Sequence, residues 1–282
     1  MTDPANMPVN AASNLQVRIM SAVALGAAAL VLTWYGGLPF RAFAALVGLL
    51  VYWEWQNITG YDKYGLLELA APAAVAAAMV LVILNFSNWQ SIVPAIFAAL
   101  FAAAACVRRN MPYWFPFGVP YAILPVLAIT SLRGDSEKGL WAIIFLLAVV
   151  WATDIFAYFA GRAFGGPKLA PTISPNKTWS GALGGAAAGV IAGTGVALWH
   201  GQASLLFYAA IALVLTVAAQ CGDLFESHVK RRFGVKDSGT IIPGHGGVMD
   251  RVDGLVAAAV ALYLICLALG GGAFPALALF PA

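Results

Sequence analysis

Four aspartates stand in or beside strongly apolar segments of this chain, and their type and spacing favour a magnesium site. Asp250 and Asp253 are three residues apart in "MDRVDG", so a helix that starts at Asp250 carries both carboxylates on one face. Two carboxylates that close repel each other unless a cation lies between them. Asp223 and Asp154, at the ends of two other apolar runs, add further oxygen donors. Because oxygen-only donors suit Mg²⁺ better than zinc, we predict these four aspartates as ligands or supports of a metal site.

Basic residues and glycines crowd around these aspartates. The 31 residues from Asp223 to Asp253 contain ten of the 27 charged side chains of the protein. The neighbouring cations are Lys177, Lys230, Arg231, Arg232, Lys236 and Arg251, and the glycines are Gly239, Gly244, Gly246 and Gly247. Lysine and arginine bind phosphate groups, and glycine lets backbone N–H groups approach phosphate oxygens without a Cβ in the way. Together with a carboxylate-bound cation, this composition indicates a site for a polyphosphate.

Each of these residues has a simpler explanation when it is considered alone. The run 230–232 could fix membrane topology or bind lipid headgroups, and Asp250 could cap a helix. Asp154 could form a structural ion pair with Arg162, and His245 could be an ordinary turn residue. Their joint occurrence on one side of a membrane is what favours a functional site.

The elements that must position these residues are membrane helices. Of the 282 residues, 62% are hydrophobic and only 10% are charged, and the mean hydropathy is +0.85, so lipid must cover most of the surface. A helix needs about 20 apolar residues to span a bilayer. Nine runs qualify: 18–36, 40–57, 66–86, 90–107, 116–132, 139–161, 181–200, 204–225 and 254–273. The predicted fold class is all-α, a polytopic membrane protein with about nine transmembrane helices.

The distribution of lysine and arginine predicts the orientation. With nine spans, the N-terminus shares one side with the loops after helices two, four, six and eight, and that side holds twelve of the 15 basic residues. The exceptions are Arg41, Arg133 and Lys138. Basic loops face the cytoplasm, so the N-terminus and the charged loops are expected there. The predicted parts are a cytoplasmic segment 1–17, N-terminal transmembrane helices 18–138, and a catalytic transmembrane region 139–282 with cytoplasmic loops 162–180 and 226–253.

Glycines recur every four residues in the seventh run, at Gly181, Gly185, Gly189 and Gly193. Such a small-residue face lets another helix approach closely. Packing within one chain is favoured over a contact between two copies, which stays open as the alternative.

The segment Ser227–Asp253, "SHVKRRFGVKDSGTIIPGHGGVMDRVD", resembles the C-terminal motif of the phosphatidate cytidylyltransferases (CDP-diacylglycerol synthases). The matched fixed positions are Ser227, Lys230, Arg231, Lys236, Asp237, Gly239, Pro243, His245, Gly246, Gly247, Asp250, Arg251 and Asp253. Another segment, "SPNKTWSG" at 174–181, resembles a second loop of the family, with Ser180 where many members have Glu. The resemblance covers the second half of the chain by motif and the first half by hydropathy.

This resemblance implies a reaction in which a cytidylyl group passes from CTP to phosphatidic acid, giving CDP-diacylglycerol and pyrophosphate for phospholipid biosynthesis. Mg²⁺ is the implied cofactor, with a second divalent or a monovalent cation beside it left open. The implied partners are CTP and membrane phosphatidic acid, with no nucleic acid, and the resemblance raises the expectation of a homodimer. The implied location is the bacterial cytoplasmic (inner) membrane, with the active site facing the cytoplasm.

Residue roles follow from the same resemblance. The expected catalytic set is Asp223, Asp250, Lys230, Arg231 and Lys236, with the two aspartates foremost among the metal ligands. The expected substrate-binding set is Ser174, Lys177, Thr178, Ser227, Asp237, Gly244, His245, Gly246, Gly247 and Arg251. The lipid phosphate can attack CTP directly, so no protein nucleophile is required. In agreement, the chain has no P-loop, H-E-x-x-H or G-x-S-x-G motif.

Three alternative functions share features of this sequence. "DRVDGLVA" also matches the opening of the CDP-alcohol phosphatidyltransferase motif, but position 258 is Ala and no charged residue follows Asp253, so that family fails. A cytidylyltransferase that acts on another lipid phosphate stays open. An ion-coupled transporter could use Asp154 and Asp223, but transporters place such groups near the midplane between repeats, and no repeat is visible.

Overall fold

The structure, a computed structural model, describes residues 11–60, 66–86, 88–109, 114–242 and 246–281. Its elements are α1 (Ala11–Tyr35), α2 (Gly37–Thr59), α3 (Leu66–Ile83), α4 (Asn88–Arg109), α5 (Trp114–Arg133), α6 (Glu137–Phe164), β1 (Lys168–Ala170), β2 (Ser174–Thr178), α7 (Trp179–Trp199), α8 (Leu205–Arg232), α9 (Met249–Ala268) and α10 (Pro275–Leu279). Helices dominate because lipid offers no hydrogen-bond partners, so an apolar chain must satisfy its backbone groups internally.

Each of the nine predicted apolar runs coincides with a long helix in the described part of the chain. The bounds differ by several residues at the site. Helix α8 continues to Arg232, past the predicted end at 225, and α9 begins at Met249, before the predicted start at 254. Hydropathy detects only the part of a helix that contacts lipid, whereas the charged ends continue into water. The earlier start of α9 places Asp250 in its first turn, as the aspartate spacing predicted.

The chain is an all-α polytopic membrane protein. Among the described residues, six helices are long and apolar enough to cross a membrane: α2, α5, α6, α7, α8 and α9. Shorter apolar helical segments lie at Met20–Tyr35, Leu69–Ile83 and Val93–Arg108, so the prediction of nine spans stays a prediction. The apolar tail forms the short α10, whose Leu279 and the following Phe280 are buried. The one element type that hydropathy did not predict is the antiparallel pair β1–β2 in the loop after α6.

Two hydrophobic clusters hold the bundle together. One cluster is formed mainly by α2 to α5, and it includes Val229 of α8 and Met249 of α9. The other is formed by α5, α6, α8, α9 and α10 around residues such as Phe145 and Leu215. Through Val229 and Met249, the ends of α8 and α9 pack against the first cluster, and these ends carry three of the four aspartates singled out above.

The glycine face of α7 is used inside the chain. Gly181, Gly185, Gly189 and Gly193 are all buried. A Cβ built at Gly185 would come within 2.6 Å of the Thr153 carbonyl on α6. The interpretation of this face as packing within one chain is confirmed, and the face gives no support to a contact between copies.

A Gly189→Ala substitution should destabilise the α6–α7–α8 packing. Its Cβ would overlap Thr153 and Thr216, and overpacking of this kind costs about 1–3 kcal/mol. Gly195 is the matched control, because it lies on the same helix with no heavy atom within 4 Å of an added Cβ. Thermal unfolding in detergent should show a lower midpoint for G189A than for G195A. Equal midpoints would contradict the packing described here.

Candidate functional site

The two predicted cytoplasmic loops meet at one end of the bundle. Lys177 on β2 forms an ion pair with Asp223 Oδ2 on α8. On the other side of the same carboxylate, the Ser227 hydroxyl donates to Asp223 Oδ1 over 3.4 Å. Thr178, the last residue of β2, caps α7 by accepting the Gly181 N–H at 3.1 Å. The short hairpin thus fixes Lys177 against α8, and the structure brings three predicted substrate-binding residues (Lys177, Thr178 and Ser227) to this end of the bundle.

Lys230 connects α8 to the start of α9. Its ammonium lies 2.6 Å from Asp250 Oδ1 and 2.8 Å from Glu226 Oε2. All three side chains are largely buried, with exposed fractions of 12% for Lys230, 5% for Asp250 and 1% for Glu226. Glu226 Oε1 is buried without a hydrogen-bond partner among the described residues. An ammonium has three donors, so two are used here and one is available to a phosphate oxygen.

The second oxygen of Asp250 is surrounded by donors from the glycine-rich loop. Oδ2 accepts the Ser238 N–H at 2.8 Å, the Ser238 hydroxyl at 2.9 Å and the Gly247 N–H at 2.9 Å. This explains two of the glycines. Gly246 has φ +85°, and a Cβ there would lie 2.7 Å from Asp250 Oδ2, whereas a Cβ at Gly247 would overlap the Ser238 hydroxyl. The sequence suggested that these glycines admit phosphate, but in the structure the Gly247 N–H serves Asp250.

Glu54 on α2 belongs to the same network, and the sequence motifs did not identify it. Its carboxylate is fully buried. Oε1 accepts the Val248 N–H at 2.8 Å, and Oε2 accepts the Met249 N–H at 2.7 Å and the Ser238 hydroxyl at 2.9 Å. An acid inside an apolar helix is costly, and this cost was the one sequence signal that could have drawn attention to Glu54.

The carboxylates of Asp154 and Asp253 both interact with the charge of Lys177. Asp154 interacts with the charges of Asp223, Lys177 and Arg251. Asp253 interacts with Asp223, Asp154 and Lys177, and its Oδ1 accepts the N–H of Gly254 at 2.7 Å. The simpler explanation of Asp154 as a partner of Arg162 is not supported, because the ion pairs found among the described residues do not include these two side chains. The Arg162 guanidinium donates to the Tyr158 hydroxyl at 3.0 Å.

The remaining predicted residues lie at the rim or outside the described residues. Exposed side chains there are those of Arg231, Lys236, Asp237 and Arg251, and Arg231 donates to the Val235 carbonyl at 3.2 Å. Ser174, at the start of β2, is half-buried. Gly244 and His245 lie outside the described residues, so their predicted roles stay predictions.

The aspartate carboxylates at this end of the bundle are the type of ligand that Mg²⁺ prefers. No group of three His, Cys, Asp or Glu side chains in the described ranges converges into a ready metal cage. Mg²⁺ does not require such a cage, because it retains several waters and uses one or two carboxylates together with substrate phosphates. Asp223 forms an ion pair with Lys177, and Asp154 and Asp253 interact electrostatically with both residues, so these three carboxylates are the candidate oxygen ligands for Mg²⁺.

An apolar cavity of about 650 Å³ adjoins this charged cluster. It lies among α1, α2, α5, α6 and α9, and most of its lining is aliphatic or aromatic. The polar residues Asp154 and Arg251 are also part of its wall. The cavity therefore connects lipid-facing helices with the charged residues at the end of the bundle.

The sequence of this chain is similar to those of several known proteins. Residues 16–269 match the model of the cytidylyltransferase family. The chain is 46% identical to the phosphatidate cytidylyltransferase of Brucella abortus over 258 residues, which cover 89% of this chain and 93% of that protein. It is 34% identical to the phosphatidate cytidylyltransferase of Pseudomonas aeruginosa over 250 residues, covering 84% and 91%. The protein of the same name from Rickettsia felis is 37% identical over 170 residues, covering 55% of this chain and 73% of that protein.

A Lys230→Met substitution should lower the free energy of unfolding by roughly 3–5 kcal/mol, because it leaves two buried carboxylates without their cation. The neighbouring Arg231 is exposed, so Arg231→Met should change stability by no more than about 0.5 kcal/mol. Unfolding of both variants in the same detergent measures the difference. If K230M is as stable as R231M, the buried ion pairs have been wrongly described.

Proposed function

This chain belongs to the cytidylyltransferase family, and we propose that it transfers the cytidylyl group of CTP to phosphatidate, releasing pyrophosphate and forming CDP-diacylglycerol. The family resemblance inferred from the Ser227–Asp253 motif is thereby confirmed. The observation that carries the proposal is the presence of the Lys177–Asp223 and Lys230–Asp250 pairs at the same end of the bundle where Asp154 and Arg251 border an apolar cavity. A lipid-anchored anion and a soluble anion can be brought together at such a place.

In the proposed reaction, an oxygen of the lipid phosphate forms a bond to the α-phosphorus of CTP. The bond between the α-phosphorus and its bridging oxygen breaks, and the electron pair leaves with pyrophosphate. A phosphate monoester is already largely ionised at neutral pH, so strong general-base help is not required. When bound at Asp223 and its neighbours, Mg²⁺ would offset phosphate charge and stabilise the leaving group.

The residues of this chain would divide the remaining work. The third donor of Lys230 and the exposed cations Arg231 and Lys236 are suited to phosphate oxygens of CTP. Arg251, which is exposed and borders the cavity, is suited to the lipid phosphate. Asp250 would hold Lys230 in place and, with Asp223, would contribute to the metal site.

The acyl chains of phosphatidate would lie in the apolar cavity. Its wall offers aliphatic and aromatic groups to the chains, and Arg251 and Asp154 stand where the headgroup must emerge. This arrangement favours phosphatidate or another lipid phosphate over a soluble acceptor. A transporter is disfavoured, because the charged groups cluster at one end of the bundle rather than at its midplane.

We further propose nine spans with the N-terminus and the site in the cytoplasm of a bacterium, in its inner membrane. The charge distribution supports this orientation. Glu54 near the end of α2 contacts the loop between α8 and α9, whereas Arg41 pairs with Asp135 and Arg133 bonds the Thr33 carbonyl at the opposite end. Cations dominate the first end, as basic loops do on the cytoplasmic side. A homodimer stays a prediction, which chemical cross-linking in native membranes would test.

Transfer of label from α-³²P-CTP into lipid should require phosphatidate and Mg²⁺, and Asp250→Asn should reduce it by roughly two orders of magnitude or more. The reason is that the amide cannot replace the anion that holds Lys230 and accepts three further hydrogen bonds. Asp135→Asn, at the opposite end of the bundle, is the control for loss of one negative charge. Near-normal transfer by D250N that elutes as folded protein would refute the assigned role. Ion flux in liposomes without any transfer would instead favour the transporter.

The lipid cavity is tested by a matched pair of substitutions on α6. Ile155 lines the cavity, whereas its neighbour Phe156 does not, and their exposed fractions are 52% and 53%. Ile155→Trp should raise the KM for phosphatidate severalfold and leave the KM for CTP unchanged, because the larger ring occupies space meant for acyl chains. Phe156→Trp should alter neither constant. An I155W enzyme with an unaltered KM for phosphatidate would remove the cavity from the proposal.

A further inference from the structure

Glu54 joins the N-terminal half of the chain to the catalytic loop. It is separated from Ser238 by 184 residues along the sequence, yet its three hydrogen bonds all go to residues between 238 and 249. The carboxylate is fully buried on α2, a helix that carries none of the residues predicted from the sequence to be catalytic or to bind substrate or metal. A buried acid of this kind needs a physical reason.

Part of the reason is the start of α9. The first N–H groups of a helix have no acceptor within the helix, and the partial positive charge there favours an anion. Val248 precedes α9 and Met249 begins it, and both donate their N–H groups to Glu54. The carboxylate thus fixes where α9 begins, one residue before Asp250.

Helix capping does not explain the third hydrogen bond. The Ser238 hydroxyl lies 2.9 Å from Glu54 Oε2 and also 2.9 Å from Asp250 Oδ2, so its single proton is shared between the two carboxylates and links them. The loop is shaped around this bridge. A Cβ at Gly239 would lie 2.8 Å from Glu54 Oε1, and a Cβ at Gly247 would lie 2.5 Å from the same atom. The motif glycines at these two positions therefore make room for Glu54.

We infer that Glu54 is a positioning residue for cytidylyl transfer, which acts through the Ser238 hydroxyl and the first turn of α9 to orient the Asp250 carboxylate. Asp250 Oδ1 in turn holds the Lys230 ammonium, so a shift of Asp250 also moves a cation that faces the substrate phosphates. The inference rests on the proposed role of Asp250 in the reaction. It adds α2 to the elements on which catalysis depends.

The experiment compares four variants of the full chain in detergent: Glu54→Gln, Ser238→Ala, Asp250→Asn and Thr59→Val. For each one, kcat, the KM for CTP and hydrogen–deuterium exchange of the peptide that contains Val248 and Met249 are measured. Thr59 is the control, because it is a buried polar residue of α2 whose hydroxyl donates to the Trp55 carbonyl of its own helix. T59V should match the wild type in all three measurements.

Glu54→Gln places an amide among hydrogen-bond donors, so exchange at 248–249 should become faster and kcat should fall on the order of ten- to a hundredfold, with little change in the KM for CTP. Ser238→Ala is the sharper test. It removes the bridge to Asp250 and leaves Glu54 bonded to both amides, so exchange should stay slow while kcat falls on the order of tenfold. If Glu54 served only as a cap of α9, kcat would fall only in those variants in which hydrogen–deuterium exchange at 248–249 is accelerated.

Wild-type kcat in S238A, or in E54Q with accelerated exchange, overturns the inference. If E54Q does not yield folded protein, S238A decides alone, because its helix cap is intact. The D250N variant distinguishes the proposed role of Asp250 from the positioning role of Glu54. An active D250N shows that the assigned role of Asp250 fails, whereas an inactive D250N beside a fully active S238A shows that only the positioning role of Glu54 fails.

Discussion

Buried carboxylates at the end of a lipid-embedded bundle must be met by hydrogen-bond donors or cations, and this requirement organises the whole site. Glu54 is met by two amides and a hydroxyl, and Asp250 by two amides, the same hydroxyl and an ammonium. That ammonium, of Lys230, also meets Glu226. Because α2, α8, α9 and the loop between them each contribute to one network, none of them can move without leaving a buried charge unpaired, which is strongly unfavourable.

Acidic side chains outnumber basic ones in this network, so an anionic substrate would need a bound cation beside it. The interacting acids at this end are Asp154, Asp223, Glu226, Asp250 and Asp253, and the cations that face them are Lys177, Lys230 and Arg251. The excess of acidic side chains repels a triphosphate, whereas the exposed side chains of Arg231 and Lys236 attract it. In the proposed mechanism, a divalent ion would bind these carboxylates and would in turn attract the phosphates.

The sequence alone predicted the helices well and the site in part, for reasons that differ. Hydropathy reports contact with lipid, so it found every long helix but not the charged ends of α8 and α9. The motif residues around Asp250 were found because they lie close together in the chain. Glu54 was missed because its partners are 184 residues away, and a lone acid in an apolar helix does not reveal what it contacts. The reason for Gly246 and Gly247 was also missed, since crowding by carboxylates is visible only in three dimensions.

The position of the network relative to the cavity explains why a lipid-modifying site should be built this way. A diacyl chain is held by apolar contact along its whole length, which fixes its depth in the membrane but hardly its headgroup. The headgroup phosphate must therefore be located by charges that are themselves rigid. Arg251 borders the cavity and directly follows Asp250, whose carboxylate accepts the N–H groups of Ser238 and Gly247. The network that begins with Glu54 on α2 thus ends beside Arg251, the residue proposed to bind the lipid phosphate, so the soluble substrate would be aligned against a fixed target.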